Sequence, residues 1–446
     1  MSLFTIGKTF SLFSAPEWLY NKNETERLRH HGISRLRQQK RSLAVIIKPE
    51  IRKGGMAMIR QAREHLVKKL IPFWKGLRDD VNGGYYGYMG SDLKVDPEAV
   101  KGCILNSRIT WFFSSAATLL GDKSLLDEAA HAFAFMKDAC LDREYGGMYW
   151  SVNCDGKPAD TTKHTYNQAF TIYALAAYYE ASRDPQALQM ALDLYGIIET
   201  RCRDEGGYLE AYDRHFRPAS NEKLSENGVM ATRTMNTLLH VFEAYTELYR
   251  VSGLDQLKKN LCEILDLFAD KMYNPALRRQ EVFFDHEYNS LIDLWSIGHD
   301  IETAWLIDWG LDVLGDEKMR AKLAPITRDL TDHVYKDAFD GRSLPMECEK
   351  GVMNEDRVWW IQAETVNGFI NGYQRDPDKP EYLKAAAAQL DFIFQYCVDP
   401  REGSEWFEIV DRDGVPCDKP IVQPWKCPYH NGRMCMEIIR RGVDLP

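Results

Sequence analysis

Three histidines in this chain stand where a helical pattern does not require them. In "SIGHDIETAW" (296–305), Ile301, Ala304 and Trp305 fit an apolar helical face, whereas His299, Asp300 and Glu302 do not. In "TMNTLLHVFEAY" (234–245), Asn236, His240 and Glu243 share one face by their i, i+4 and i+3 spacing. "PWKCPYHNGRMCMEIIRR" carries Trp425, Tyr429, His430 and Arg433. Arg108 in "LNSRITWFFS", Tyr166 in "KHTYNQAF", and Trp359, Trp360 and Glu364 in "RVWWIQAETVNGF" complete the set. Two histidines facing one substrate suit the removal of a proton from carbon and its return, because imidazole serves as base and acid near pH 7. The enolate-like oxygen formed in such a step needs a cation, and Arg108 is the candidate. Tryptophans favour the apolar faces of sugar rings, although they also simply pack.

Each residue taken alone has a structural reading: core histidine, ion-pair partner or packed indole. A metal held by His240, His299 and His430, with Glu243 and Glu302 as further ligands, is a second chemical reading. Each glutamate follows its histidine by one helical turn, which equally suits fixing the tautomer and charge of that histidine. No phosphate loop, dinucleotide fingerprint, HExxH or G-x-S-x-G motif is present.

The elements that position these groups come from a repeat. Turn-and-strand signatures recur near Gly84, Gly147, Gly207, Phe283, Leu344 and Trp406, at steps of 63, 60, 76, 61 and 62 residues. The intervals read as helices, clearest in "YNQAFTIYALAAYYEAS", which Pro185 terminates. About 60 residues accommodate two helices and a hairpin, and such units must stack to bury their apolar faces. The expected fold is all-α: six helix pairs closed into an (α/α)6 barrel, with short β-hairpins. Equivalent ends of the inner helices, and with them the residues above, then meet at one mouth.

The chain has 446 residues, 45% of them hydrophobic, which suffices for a large core. Its net charge is −10, and no basic patch points to nucleic acid. Residues 1–57 hold eleven Lys/Arg against four Asp/Glu, a balance of +7 that leaves −17 for the remainder. They read as an extension outside the chemistry, and 58–446 as the catalytic domain. Ten cysteines without CxxC spacing read as reduced thiols in a cytoplasmic protein, and no apolar run is long enough to span a membrane. A monomer is expected.

The blocks "NSRITWFFS", "KHTYNQAFTIYAL", "TRTMNTLLHVFEAYTELYR", "SIGHDIETAWL", "WWIQAE", "EWF" with "DRDG", and "WKCPYHNGRM" occur in an order that resembles the cellobiose 2-epimerases of the N-acylglucosamine 2-epimerase superfamily. The resemblance runs from about Met58 to the C-terminus. It implies an (α/α)6 barrel, no obligatory metal or nicotinamide cofactor, and epimerisation at C2 of the reducing-end sugar in β-1,4-linked disaccharides such as cellobiose, lactose or mannobiose. By motif, it implies His299 and His430 as the acid/base pair acting through a cis-enediolate, and Arg108 as the oxyanion partner. His240, with Asn236, would assist ring opening, and Glu302 and Glu364 would orient these groups. Tyr166, Trp360 and Trp425 would contact the sugar.

Three positions depart from the pattern: Ile297 stands where tyrosine is expected, Leu238 where many members carry histidine, and Glu408 where an aromatic is common. They bear on rate and disaccharide preference. An aldose–ketose isomerase on the same barrel shares the enediolate and is the alternative activity. A glycoside hydrolase would use a carboxylate pair such as Glu302 and Glu364, and a non-catalytic binding protein would not need the histidines.

Overall fold

The computed structural model describes residues 57–224 and 227–443. Among the described residues, twelve α-helices alternate between an outer and an inner position. The outer ones are α1 (Ala57–His65, continued by Leu66–Leu70 and Ile71–Lys75), α3 (Leu125–Phe135), α5 (Pro185–Arg201), α7 (Asp255–Leu267), α9 (Glu317–Asp337) and α11 (Pro380–Phe392). The inner ones are α2 (Cys103–Leu120), α4 (Thr165–Ser182), α6 (Met235–Ser252), α8 (Ile297–Leu314), α10 (Trp359–Arg375) and α12 (Tyr429–Arg441). Each inner helix packs on the next, and α12 packs back on α2, so the inner ring is closed. From α2 to α11 each inner helix pairs with the outer helix that follows it, whereas α12 pairs with α1, the first. The fold is an (α/α)6 barrel. The expected N-terminal extension lies outside the described residues, apart from Ala57.

Inner helices are buried nearly all round because both of their sides are covered. In α4 every residue from Thr165 to Tyr178 is buried. Left-handed residues stop most of them, with glycine at Gly121, Gly253, Gly315 and Gly442. Glycine also sets close approach: a Cβ on Gly298 would lie 2.7 Å from the Trp360 ring, and one on Gly432 would lie 2.6 Å from Phe112. Among the described residues no helix is long and apolar enough to cross a membrane, and all ten cysteines are unpaired.

A tight reversal precedes each inner helix, opened in every repeat by an Asp or Asn whose side chain accepts backbone N–H groups of the turn. These are Asp79, Asp142, Asp204, Asn274, Asp340 and Asp399. In four repeats the same carboxylate pairs with a buried cation two residues before the inner helix: Lys101, Lys163, Arg233 or Arg357. Repeat four has lost both partners, with Asn274 and Trp295 in their places. A second tie comes from the first turn of the inner helix. Asn106, Gln168, Asp300 and Gln362 accept the backbone N–H of Tyr85, Met148, Gln280 and Leu344 at 3.1, 2.6, 3.1 and 3.3 Å. Part of the polarity that recurs where inner helices begin is therefore structural.

The repeat register needs one correction. Tyr273–Asn274 pairing with Arg279–Gln280 forms the first reversal of repeat four. Phe283, taken from sequence as the anchor, belongs to the second reversal, where Phe284 bridges Ser290. The outlying step of 76 thus compared two different hairpins.

Candidate active site

The ties above bring the starts of the inner helices to one end of the barrel, around a cavity of about 240 Å³. Arg108 (α2), Tyr166 (α4), Asn236 and His240 (α6), His299 and Glu302 (α8), Trp360 (α10), and Trp425 and His430 beside and on α12 all line it. Of the residues given site roles by the resemblance, Glu364 alone is absent from the wall and is fully buried one layer behind His430. Glu243, Tyr429 and Arg433, also singled out from sequence, lie off the wall as well. Arg108, His240, Glu302 and His430 are buried at the floor. Lys223, Asn227, Glu347 and Gln423 line the cavity from more exposed positions.

The three histidines are wired differently. His430 Nδ1 lies 2.8 Å from Glu364 Oε1, and His240 Nδ1 lies 2.9 Å from Glu243 Oε2. A carboxylate accepts only, so both rings carry their proton on Nδ1 and leave Nε2 as an acceptor. His299 has no carboxylate; its Nδ1 is 2.7 Å from the Ser296 hydroxyl. Its ring lies 4.7 Å from that of Trp360, which also sits 5.6 Å from His430. Burial lowers the pKa of all three, to about 3 for His299 and for His430, so each is neutral at pH 7.

Helical spacing anticipated the His240–Glu243 contact but not the surroundings of Glu302. That carboxylate, one turn after His299, contacts Arg433 on α12 instead. Arg433 is buried and also contacts Glu243, Glu364 at 2.8 Å, and Tyr429. Tyr429 donates to both oxygens of Glu243, at 2.6 and 2.7 Å. Burial and the neighbouring Glu364 charge raise the pKa of Glu302. At Glu364 burial works the same way, but Arg433 and His430 outweigh it and hold its carboxyl below the usual range.

Arg108 points one nitrogen at Tyr166 Oη, 2.8 Å away, and lies over the Phe170 ring at 4.0 Å. Its Nε finds no acceptor among the described residues, which leaves a cationic N–H for a ligand oxygen. Asn236 Oδ1 is likewise without a donor. Glu302, Glu364 and His430 have ligand atoms within 4.8 Å of one another, a spacing open to a metal ion. Arg433 already neutralises two members of that group, and a dication there would have to displace its guanidinium.

The N-acylglucosamine 2-epimerase family model matches residues 84–432. This chain belongs to the N-acylglucosamine 2-epimerase family. It is an epimerase, and so an isomerase. Among curated family members, the cellobiose 2-epimerase of Eubacterium cellulosolvens is 54% identical over 398 residues, 86% of this chain and 98% of that protein. That of Ruminococcus albus is 49% identical, over 87% of this chain and all of its own length. A solved sugar epimerase from a ruminal bacterium superposes with a TM-score of 0.86 at 48% identity, covering 87% of this chain and all of that one. A D-mannose isomerase has the same fold, with a TM-score of 0.76 at 20% identity over 87% of this chain and 99% of its own.

Sequence reasoning left Ser296 and the rim residues Lys223, Asn227, Glu347 and Gln423 unassigned. It also placed Arg433 in the site block without a role. Nothing in local spacing marks a guanidinium that meets carboxylates from three other helices.

Proposed function

We propose that this family member epimerises C2 of the reducing-end sugar of β-1,4-linked disaccharides such as cellobiose, lactose or mannobiose. The observation that carries this reading is the unlike wiring of two neutral histidines on one cavity. His430, backed by Glu364, presents a bare Nε2 and is poised as base. We assign the Ser296 hydroxyl, 2.7 Å from His299 Nδ1, as donor to that nitrogen, so that Nε2 carries the proton and is poised as acid. After ring opening, aided by His240 and Asn236, His430 removes the C2 proton. Arg108 stabilises the oxygen of the cis-enediolate. Rotation about C2–C3 presents the other face, and His299 delivers its Nε2 proton there. The proton taken by His430 passes to solvent and His299 regains one from solvent, which returns both rings to their starting state. In the reverse direction the two histidines exchange roles.

Trp360 and Trp425 supply apolar walls for the sugar rings. Curated relatives named cellobiose 2-epimerase support a disaccharide as substrate. The test is product analysis with cellobiose, lactose and β-1,4-mannobiose in deuterated water. The C2 epimer of each sugar, labelled at C2, is expected. Lactulose in place of epilactose would move the enzyme to aldose–ketose isomerisation, and an unlabelled epimer would overturn the two-histidine route.

A further inference from the structure

Arg433 sits where four inner helices meet. It contacts Glu243 from α6, Glu302 from α8 and Glu364 from α10, and belongs to α12 itself. Two of those carboxylates hold Nδ1 of cavity histidines: Glu243 that of His240, and Glu364 that of His430. One cation therefore faces three buried carboxylates, a net charge of −2 if all are ionised and −1 with one proton. Glu302 Oε2 is the oxygen of this set without a hydrogen-bond partner among the described residues, and Glu302 lines the cavity. Arg433 itself is absent from the cavity wall.

We infer that Arg433 is a positioning residue that ties the ionisation of Glu243 and Glu364 into one unit, with Glu302 as the member that holds the proton. By keeping both carboxylates charged, Arg433 fixes the tautomers of His240 and His430 together. A single buried cation thus presets two histidines on different helices. The raised pKa of Glu302 beside the lowered pKa of Glu364 agrees with this division. The other charged or titratable groups facing the set are Arg108 from α2, Tyr166 and Tyr173 from α4, and Glu247 from α6. His299 from α8, and Tyr429, Glu437 and Arg440 from α12 complete them. Glu247 and Glu437 are themselves paired, with Arg250, Arg440 and Arg441, and Arg108 from α2 adds one positive charge to the surroundings.

The kinetic arm of the test rests on the C2 epimerisation proposed above; the spectroscopic arm does not. Arg433→Met should lower kcat for cellobiose by about 100-fold with KM within about threefold, the scale of losing a group that orients a catalytic one. The acidic limb of its pH–rate profile should move to higher pH, because Arg433 depresses the pKa of both histidines. In nitrogen-15 NMR of the ligand-free protein, His240 and His430 should lose their Nδ1–H preference together. Adding Glu302→Gln to Arg433→Met removes one titrating carboxylate and should restore about tenfold in kcat, a recovery that a purely structural loss would not show. Should Arg433→Met fail to fold, Arg433→Lys carries the same readouts, since one ammonium does not bridge three carboxylates. Wild-type tautomers and an unmoved acidic limb in a folded variant would overturn the inference, as would one histidine responding without the other. If the wild type leaves cellobiose unchanged, the C2 reading falls, while the NMR of the two histidines still decides the role of Arg433.

Discussion

Two kinds of buried charge lie at the same end of this barrel. In the first hairpin anchor, one carboxylate meets one amine, Asp79 with Lys101 at 2.6 Å, both side chains fully buried. In the second, Asp142 meets buried Lys163 at 2.9 Å and half-buried Arg214 at 2.9 Å. Both carboxylates also accept backbone N–H groups of the turn they close, and Lys101 donates to the Gly83 carbonyl of its turn. Around the cavity, one guanidinium meets three carboxylates, and two of those hold histidines. The side chains are shielded from solvent in both regions, but the balance of charge differs. A balanced pair has no reason to take or give up a proton near pH 7, so it fixes geometry. An unbalanced cluster beside a cavity keeps protons within reach of a substrate.

The comparison is open to breaking by substitution. The largest effect is expected at the histidines: His299→Ala and His430→Ala should each cut epimerisation by about 1,000-fold or more, with circular dichroism of the fold kept. Glu364→Gln comes next, with about 10- to 100-fold lost from kcat and little change in melting temperature. Lys101→Met should do the opposite. It strands Asp79 and should cost about 3–5 kcal/mol in denaturant unfolding, while activity per folded molecule stays near wild type. A Lys101→Met variant of full stability, or a Glu364→Gln variant of full activity, would erase the distinction.

Smaller is the pH effect on folding. His65, His299 and His430 are held near 3 and His164 near 4, mainly by burial, against 6.5 unfolded. Their contribution to stability is complete above pH 6.5 and declines as pH falls towards 4, because the unfolded chain then binds more protons. Denaturant midpoints should therefore drop between pH 7 and pH 5. The smallest expectation is no effect at all: EDTA should leave the rate unchanged, since Arg433 occupies the ground a dication would need. Activity lost to EDTA and restored by a metal would overturn that assignment.

The sequence disclosed what is periodic and local. The sixfold repeat led to the barrel, and helical spacing joined His240 to Glu243 because both sit on one face of α6. The same spacing, applied to His299 and Glu302, misplaced the glutamate. An i, i+3 neighbour competes with every other group the fold brings near, and a buried guanidinium is the stronger partner. The fourth repeat was misregistered for a related reason. Its Asn274 and Trp295 lack the charge pair that marks four of the other turns, so aromatic Phe283 drew attention to the wrong hairpin. Asp79, Asp142, Asp204, Asp340 and Asp399 were visible all along as a sixfold series broken once.

The way the ring closes also orders events in time. Inner helix α12 packs on α2, α10 and the first helix, α1, and it brings His430 and Arg433. As the ribosome releases the chain from its N-terminus, α1 to α11 emerge with Glu243, Glu302 and Glu364 already made and their cation still unsynthesised. The nascent barrel thus has an open seam along both α2 and α10 until α12 is delivered. The proposed pair of histidines is complete only with the same thirteen residues that seal the seam.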